Sequence, residues 1–210
     1  MARTADDLPA PPPMELPVLD TGARERADAQ RNREKVLSAA QRLFASHGVS
    51  NVSMDAIAAE AGVGKGTLFR RFGDRAGLAL ALLETQTRAL QEGMIRGPAP
   101  LGPGAPPRER LKAMARAQLG LLEEHAELMA AGEAGRPGAR FSIGPYAFLR
   151  THAGVLVREA DPYCDWELLT DILLAPLATE SFVYWRYVRG LEPERILAAF
   201  DALVDRQLPG

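Results

Sequence analysis

Two short helical segments joined by a tight turn constrain this chain more than any other feature. The first is predicted over 54–61 with Ser53 as its N-cap, and the second over 65–72. Gly62 to Gly64 supply the turn between them, and Leu68 marks the apolar side of the second segment. Two helices in this arrangement form a helix-turn-helix pattern, which is typical of DNA-binding proteins.

The outward side of the second segment is small and polar, as a helix in the major groove requires. Such a helix brings its N-terminal residues to the base edges, and its inward side must be apolar. Lys65 and Arg70 are placed to reach phosphates or guanine edges. A solvated face remains the alternative for Arg70 and Arg71. A nucleotide-binding loop is disfavoured, because Gly62 to Thr67 lacks the required glycine and lysine spacing and follows a helix rather than a strand.

Helical periodicity runs through the rest of the chain, and no segment alternates as a β-strand would. The sequence therefore predicts an all-α fold of about nine helices. The principal helices are expected at 31–47, 54–61, 65–72, 75–91, 108–131, 143–160, 165–189 and 192–208. Pro176 should bend the long helix at 165–189 or leave a polar spot in its wall.

Composition and charge suggest three parts: a disordered, Pro-rich leader at 1–23, a helix-turn-helix domain at 24–74 and a ligand-binding and dimerisation domain at 75–210. The net charge is −2, but cations outnumber acids ten to six over 24–75. The single cysteine, Cys164, excludes an intrachain disulfide and favours a reducing, cytoplasmic location. Neither a membrane-spanning run nor a signal peptide is predicted.

Three adjoining stretches resemble the TetR family of transcriptional regulators. They read REKVLSAAQRLFASHG from Arg33, SMDAIAAEAGVGKGTLFRRF from Ser53 and GDRAGL from Gly73. The resemblance implies a homodimer in which each subunit has a three-helix DNA-binding domain and a larger helical body with a ligand pocket. It also implies a repressor that a small molecule releases from an inverted-repeat operator.

The resemblance assigns DNA contact to positions in and around the helix-turn-helix. Departures from the family pattern are Phe69, where tyrosine is frequent, Gly64, where a serine or threonine cap is common, and Ala76, where glutamate is frequent. The predicted DNA-binding residues are Ser53, Met54, Lys65, Gly66, Thr67, Phe69, Arg70, Arg71 and Arg75.

The body is less specific, and helix phase alone suggests its sites. A ligand pocket is predicted from Met114, Gln118, Leu121, Tyr146, Leu149, His152, Trp166, Thr170, Leu173 and Leu177. The last two helices are expected to pair with a second copy through Leu168, Ile172, Phe182, Leu197, Phe200 and Val204.

No catalytic cluster or metal-ligand set stands out, so neither an enzyme nor a metal or other cofactor is expected. Two competing interpretations stay open. One is a constitutive or architectural DNA-binding protein without a ligand, and the other is a helical enzyme. The sequence does not identify the ligand, the operator or the regulated genes.

Overall fold

The computed structural model describes residues 21–133, 138–142 and 144–208. These residues contain helices and turns and no strand, so the predicted all-α class is confirmed. Most of the predicted leader, residues 1–20, lies outside this description.

The N-terminal part, here called the head, is built from α1 (Thr21–His47), α2 (Met54–Ala61) and α3 (Lys65–Phe72). Helix α1 begins ten residues before the predicted start at 31 and takes in the last residues assigned to the leader. Residues 26–30 of this helix are exposed, and Arg31 forms an ion pair with Asp28 one turn earlier.

Short-range signals fix the ends of the head helices. The Ser53 hydroxyl accepts a hydrogen bond from the Ala56 N–H at 3.1 Å, which caps α2. Gly62 ends α2 at φ +64°, a left-handed conformation that a side chain disfavours. Gly77 is required for another reason, because a Cβ there would lie 2.0 Å from the Phe72 carbonyl oxygen. This glycine allows α4 to start directly against the end of α3.

The head has a small core of its own. Ile57 and Leu68 are almost fully buried against the apolar side of α1, which contributes Val36, Ala40 and Phe44. Leu78 of α4 also belongs to this cluster, so the head core extends past the predicted boundary at residue 74. The division into domains at that boundary remains a prediction.

The remaining part, here called the body, is a helical bundle. It consists of α4 (Arg75–Arg96), α5 (Pro107–Glu133), α6 (Gly144–Ala160), α7 (Trp166–Leu174), α8 (Thr179–Val183) and α9 (Pro193–Gln207). Helix α5 packs against α4, α6, α8 and α9 and is the central element of the bundle. Its backbone is kinked at His125, where φ is −136° and ψ is 22°.

The predicted long helix at 165–189 is wrong as a single element. Helix α7 ends at Leu174, and a tight 3-10 turn covers Ala175–Leu177. Ala178 is extended, with ψ 142°, before α8 begins, and a π-helical segment follows at Tyr184–Val188. Pro176 accounts for the break, because proline has no N–H to donate and its ring obstructs the preceding turn.

Two of the side-chain contacts that join the head to the body involve glutamates of α5 and α4. The Glu127 carboxylate of α5 accepts a hydrogen bond from the backbone N–H of Val49, with an N–O distance of 2.6 Å. Arg33 of α1 forms an ion pair with Glu84 of α4. Glu127 lies two residues after the α5 kink at His125, and Glu84 lies in the middle of α4.

Candidate nucleic-acid interface and body cavity

Helix α3 presents two different faces, as predicted. Leu68 is 1% exposed in the head core, whereas Lys65, Thr67 and Arg70 are exposed on the outer side. The helix therefore has an apolar attachment to the head and a free polar surface. A helix that enters the major groove needs both features.

The cations of this face differ in what holds them. Lys65 forms an ion pair with Asp55 of α2, and both side chains are more than half exposed. An exposed pair of this kind contributes about 1 kcal/mol or less, so a phosphate can compete for the lysine. Arg70 is exposed, and the described residues provide it with no ion pair. The first and last turns of α3 thus each offer a cation to a polyanion.

Ser53 and Met54 lie at the start of α2. The Ser53 oxygen accepts the capping hydrogen bond, and its hydroxyl proton stays available to a phosphate oxygen. Met54 is half-buried against the head core, so it contributes mainly to packing. Both placements are compatible with the predicted contact with DNA, which remains a prediction.

Gly66 occupies an exposed position in the first turn of α3. A glycine inside a helix costs about 1 kcal/mol relative to alanine. A Cβ at Gly66 would meet no atom within 4 Å, so the fold of this chain does not require glycine there. A partner that approaches the backbone closely would explain the residue. Phe69, on the next turn, is 46% exposed although aromatic.

Two of the predicted DNA-binding arginines brace the head in this structure. Arg71 donates a hydrogen bond to the Ala29 carbonyl at 2.7 Å, which ties α3 to α1. Arg75 donates to the Ser50 carbonyl at 2.8 Å and lies 3.5 Å from that of Val49. The contact of Arg71 and Arg75 with phosphate remains a prediction, and a structural role is visible for each.

Comparison with known proteins identifies the head. Residues 36–82 match the family model described as bacterial regulatory proteins, tetR family. The N-terminal domain belongs to the TetR family. An HTH-type transcriptional regulator of Staphylococcus aureus is 42% identical over 59 residues, which are 28% of this chain and 32% of that protein. The chain therefore matches about a third of the length of this curated relative.

Solved structures extend the likeness of fold beyond the TetR domain. NalD, the secondary repressor of the MexAB-OprM multidrug efflux pump in Pseudomonas aeruginosa, is 20% identical with a TM-score of 0.58. The alignment covers 87% of this chain and 98% of NalD. The fatty acid degradation regulator FadR from Bacillus halodurans is 16% identical with a TM-score of 0.60, covering 84% of this chain and 97% of FadR. At these identities the likeness shows the fold of the body and not its ligand.

Behind the TetR domain, the body contains a cavity between α4, α5, α6 and the turn after α7. About 610 Å³ is free of protein atoms, its solvent-filled mouth included, and about 60 Å³ is open to the centres of water molecules. A water needs about 10–15 Å³ by the latter measure, so the enclosed part holds several waters. A ligand the size of benzene needs about 150 Å³ and would therefore extend into the open mouth. Its wall is mostly apolar, with a few polar side chains.

Five of the ten predicted pocket residues line this cavity: Gln118, Leu121, Tyr146, Leu149 and Leu177. The other five do not. Met114, Thr170 and Leu173 are buried in the bundle, Trp166 packs against Gly154, and the half-buried His152 stacks on Phe148. Burial lowers the pKa of His152, with a further contribution from Arg110.

Sequence reasoning missed the most polar residues of the cavity wall. Glu133 ends α5, and Arg140 lies in the short turn Ala139–Ser142. Thr87, Gln91 and Met94 of α4 also line the wall. The three α4 residues share one face at helical spacing, but the sequence does not mark that face as a cavity wall, because only the packing of α4 across α5 and α6 encloses it.

The predicted dimer seam is partly wrong. Phe182, Phe200 and Val204 are 2% exposed or less, because α8 and α9 turn these side chains into the core of their own body. Leu197 is half-buried against the same core. Leu168 and Ile172 of α7 are 57% and 49% exposed, four residues apart on one face. Only this α7 face leaves predicted seam residues open to a partner.

No group of three or more His, Cys, Asp or Glu side chains in the described ranges could hold a metal ion. Each helix within them is too short or too polar to cross a lipid bilayer.

Proposed function

We propose that this chain is a cytoplasmic, homodimeric transcriptional regulator whose α3 helices enter successive major grooves of an inverted-repeat operator. A small molecule in the body cavity would release the protein from DNA, which makes it a repressor. The observation that carries the proposal is the division of α3 into a buried apolar side at Leu68 and an exposed side with Lys65, Gly66 and Arg70.

The TetR-family match supports this function over the alternatives. The matched family consists of regulatory proteins, which agrees with the expectation that the chain is not an enzyme. The cavity favours a ligand-responsive regulator over a constitutive DNA-binding protein, because it places polar side chains in an apolar enclosure suited to a small molecule. NalD and FadR regulate different processes, so the shared fold leaves the effector open.

DNA binding is testable by fluorescence anisotropy on duplexes tiled across the region upstream of the gene. The wild-type protein should bind one duplex that contains an inverted repeat. The double variant Lys65→Ala/Arg70→Ala should lose at least about tenfold in affinity, since each phosphate or base contact is worth about 1–3 kcal/mol.

Arg158→Ala is the matched control, because Arg158 is an exposed cation of α6 on the body. It should bind DNA as the wild type does. Equal affinity of the double variant and the wild type would overturn the assignment of the α3 face.

The dimer requires a surface, and the exposed α7 face is the candidate. Leu168 and Ile172 expose apolar area beside α6, whose Val155 is 59% exposed. We expect Leu168→Lys/Ile172→Lys to sediment as a monomer and to bind operator DNA weakly, because paired heads bind two half-sites together. Tyr163→Lys, at a 98% exposed loop position, should remain dimeric. A dimeric double variant would place the interface elsewhere.

A further inference from the structure

The polar groups of the body cavity indicate the charge of the ligand. Glu133 lies in the cavity wall, and one of its carboxylate oxygens accepts a hydrogen bond from the Thr179 hydroxyl at 2.8 Å. Within the described ranges no cation lies at ion-pair distance from this carboxylate. Burial raises the pKa of Glu133, with the Thr179 hydrogen bond opposing the rise. A partly desolvated acid without a counter-ion is costly, and a cation placed beside it would relieve that cost.

The one described cation of the cavity wall, Arg140, stacks on aromatic rings and does not pair with Glu133. The Arg140 guanidinium lies over the rings of Phe141 and Tyr146, 4.7 Å and 5.0 Å from their centroids. It acts on Glu133 only through longer-range attraction. The Tyr146 ring of the wall thus already faces one positive charge, that of Arg140.

A second polar group of the wall, the Tyr146 hydroxyl, lacks a hydrogen-bond partner among the described residues. This hydroxyl oxygen is buried. Gln118 contributes a buried amide to the same wall. A hydroxyl oxygen and an amide oxygen both accept hydrogen bonds, so both are compatible with a ligand that donates. Apart from Thr87, Gln91 and Arg140, the rest of the wall is apolar, with leucine and methionine side chains from α4, α5 and α6.

We propose that this cavity binds a small organic ammonium ion, with its apolar body against the leucine and methionine wall and its charged nitrogen beside Glu133. An anionic ligand would meet the like charge of Glu133, and a neutral ligand would leave that carboxylate without a counter-ion. The proposal rests on the proposed function in so far as the cavity is the effector site of the regulator.

Three probes that share one apolar group and differ in charge test the ligand class. They are the cation 3-phenylpropylamine, the neutral 3-phenylpropanol and the anion 3-phenylpropanoate. Isothermal titration of the full-length protein should show the amine, charged at neutral pH, binding at least about tenfold more tightly than the alcohol. The propanoate should bind more weakly than either. The opposite order, equal binding of amine and alcohol, or no binding of any probe at millimolar concentration would overturn the proposal.

Glu133→Gln tests the residue. The glutamine keeps a side-chain oxygen for the Thr179 hydroxyl, so folding should be retained. This variant should bind the amine about tenfold more weakly and the alcohol with unchanged affinity. Tyr146→Phe should lower the affinity for the amine several-fold. Glu124→Gln is the matched control, since Glu124 is an exposed acid of α5 outside the cavity. An unchanged preference for the amine in Glu133→Gln would overturn the role of Glu133.

DNA titrations on the same preparations keep the two proposals apart. Wild-type protein that binds the operator without preferring the amine overturns the ligand class alone. Wild-type protein that prefers the amine but binds no upstream duplex overturns the proposed function and leaves the ligand class supported.

Discussion

The head and the body of this chain are both helical bundles, but they are specified over different distances. In the head, caps, turn glycines and apolar spacing within about twenty residues determine both the helices and the face they expose. In the body, the cavity depends on residues as far apart as Thr87 and Ala178. The comparison explains why the exposed polar face of α3 is readable from a short motif whereas the body cavity is not.

The two regions also differ in the size of their cores. The head depends on a small cluster around Ile57 and Leu68, while the body buries residues from α4 to α9. A small core has fewer contacts to compensate for a deletion. The head should therefore open at a lower free energy than the body.

The largest predicted effect breaks the head alone. Leu68→Ala should cost about 2–5 kcal/mol, because Leu68 is 1% exposed in the smaller core. Operator binding should be lost while body amides keep their hydrogen-exchange protection. Leu156→Ala, at a fully buried position of α6, is the matched body deletion. Leu156→Ala should lower the hydrogen-exchange protection of body amides, which Leu68→Ala should leave unchanged. Identical exchange patterns for the two variants would contradict the claim that head and body are specified separately.

A smaller effect concerns the link between the regions. Glu127→Ala removes the acceptor of the Val49 N–H, and an unsatisfied, part-buried donor costs about 1–3 kcal/mol. We expect faster hydrogen exchange at the Val49 amide and weaker coupling between cavity ligands and DNA affinity.

Glu127→Gln is the conservative control, because the amide oxygen still accepts the hydrogen bond. It should restore most of the protection at Val49. Coupling unchanged in Glu127→Ala would mean that head and body communicate by another route, such as the Arg33–Glu84 ion pair between α1 and α4.

The smallest effect sharpens the account of the cavity. Burial raises the pKa of Glu133, an effect that Thr179 and Arg140 oppose and Glu180 reinforces. The folded protein therefore retains a proton that the unfolded chain has already released, so stability falls as pH rises from the ordinary carboxyl pKa through the raised one. Glu133→Gln should gain stability relative to wild type across that window. Urea titrations at several pH values measure this gain, and a gain independent of pH would contradict the role of burial.

Much of the head could be predicted from sequence, since Ser53, Gly62 and Leu68 act on their immediate neighbours. The length of α1 could not, because its polar first turns lack an apolar stripe. The partners of Arg71 and Arg75 were also missed, since backbone carbonyls of distant residues carry no sequence signal.

The body shows where local reasoning ends. Helix phase placed Gln118, Tyr146 and Leu149 on the cavity wall, because α5 and α6 are regular enough for phase to persist. Helix phase failed after Pro176, because the chain leaves the helix there and α8 starts in a new orientation. Phe182 therefore faces the core and not the predicted seam. Glu133 is the last residue of α5 and Arg140 lies in the turn before α6, so helix periodicity does not predict that either lines the cavity.

The salt dependence of operator binding tests the central claim most directly, because it counts the phosphates that the α3 face neutralises. For the wild type, the logarithm of the binding constant should fall linearly with the logarithm of salt concentration, by about 0.9 per phosphate contact. Lys65→Ala/Arg70→Ala should give a shallower line, and Arg158→Ala should give the wild-type line. A double variant with the wild-type slope and affinity would contradict the account, because the outer face of α3 would then not contact DNA.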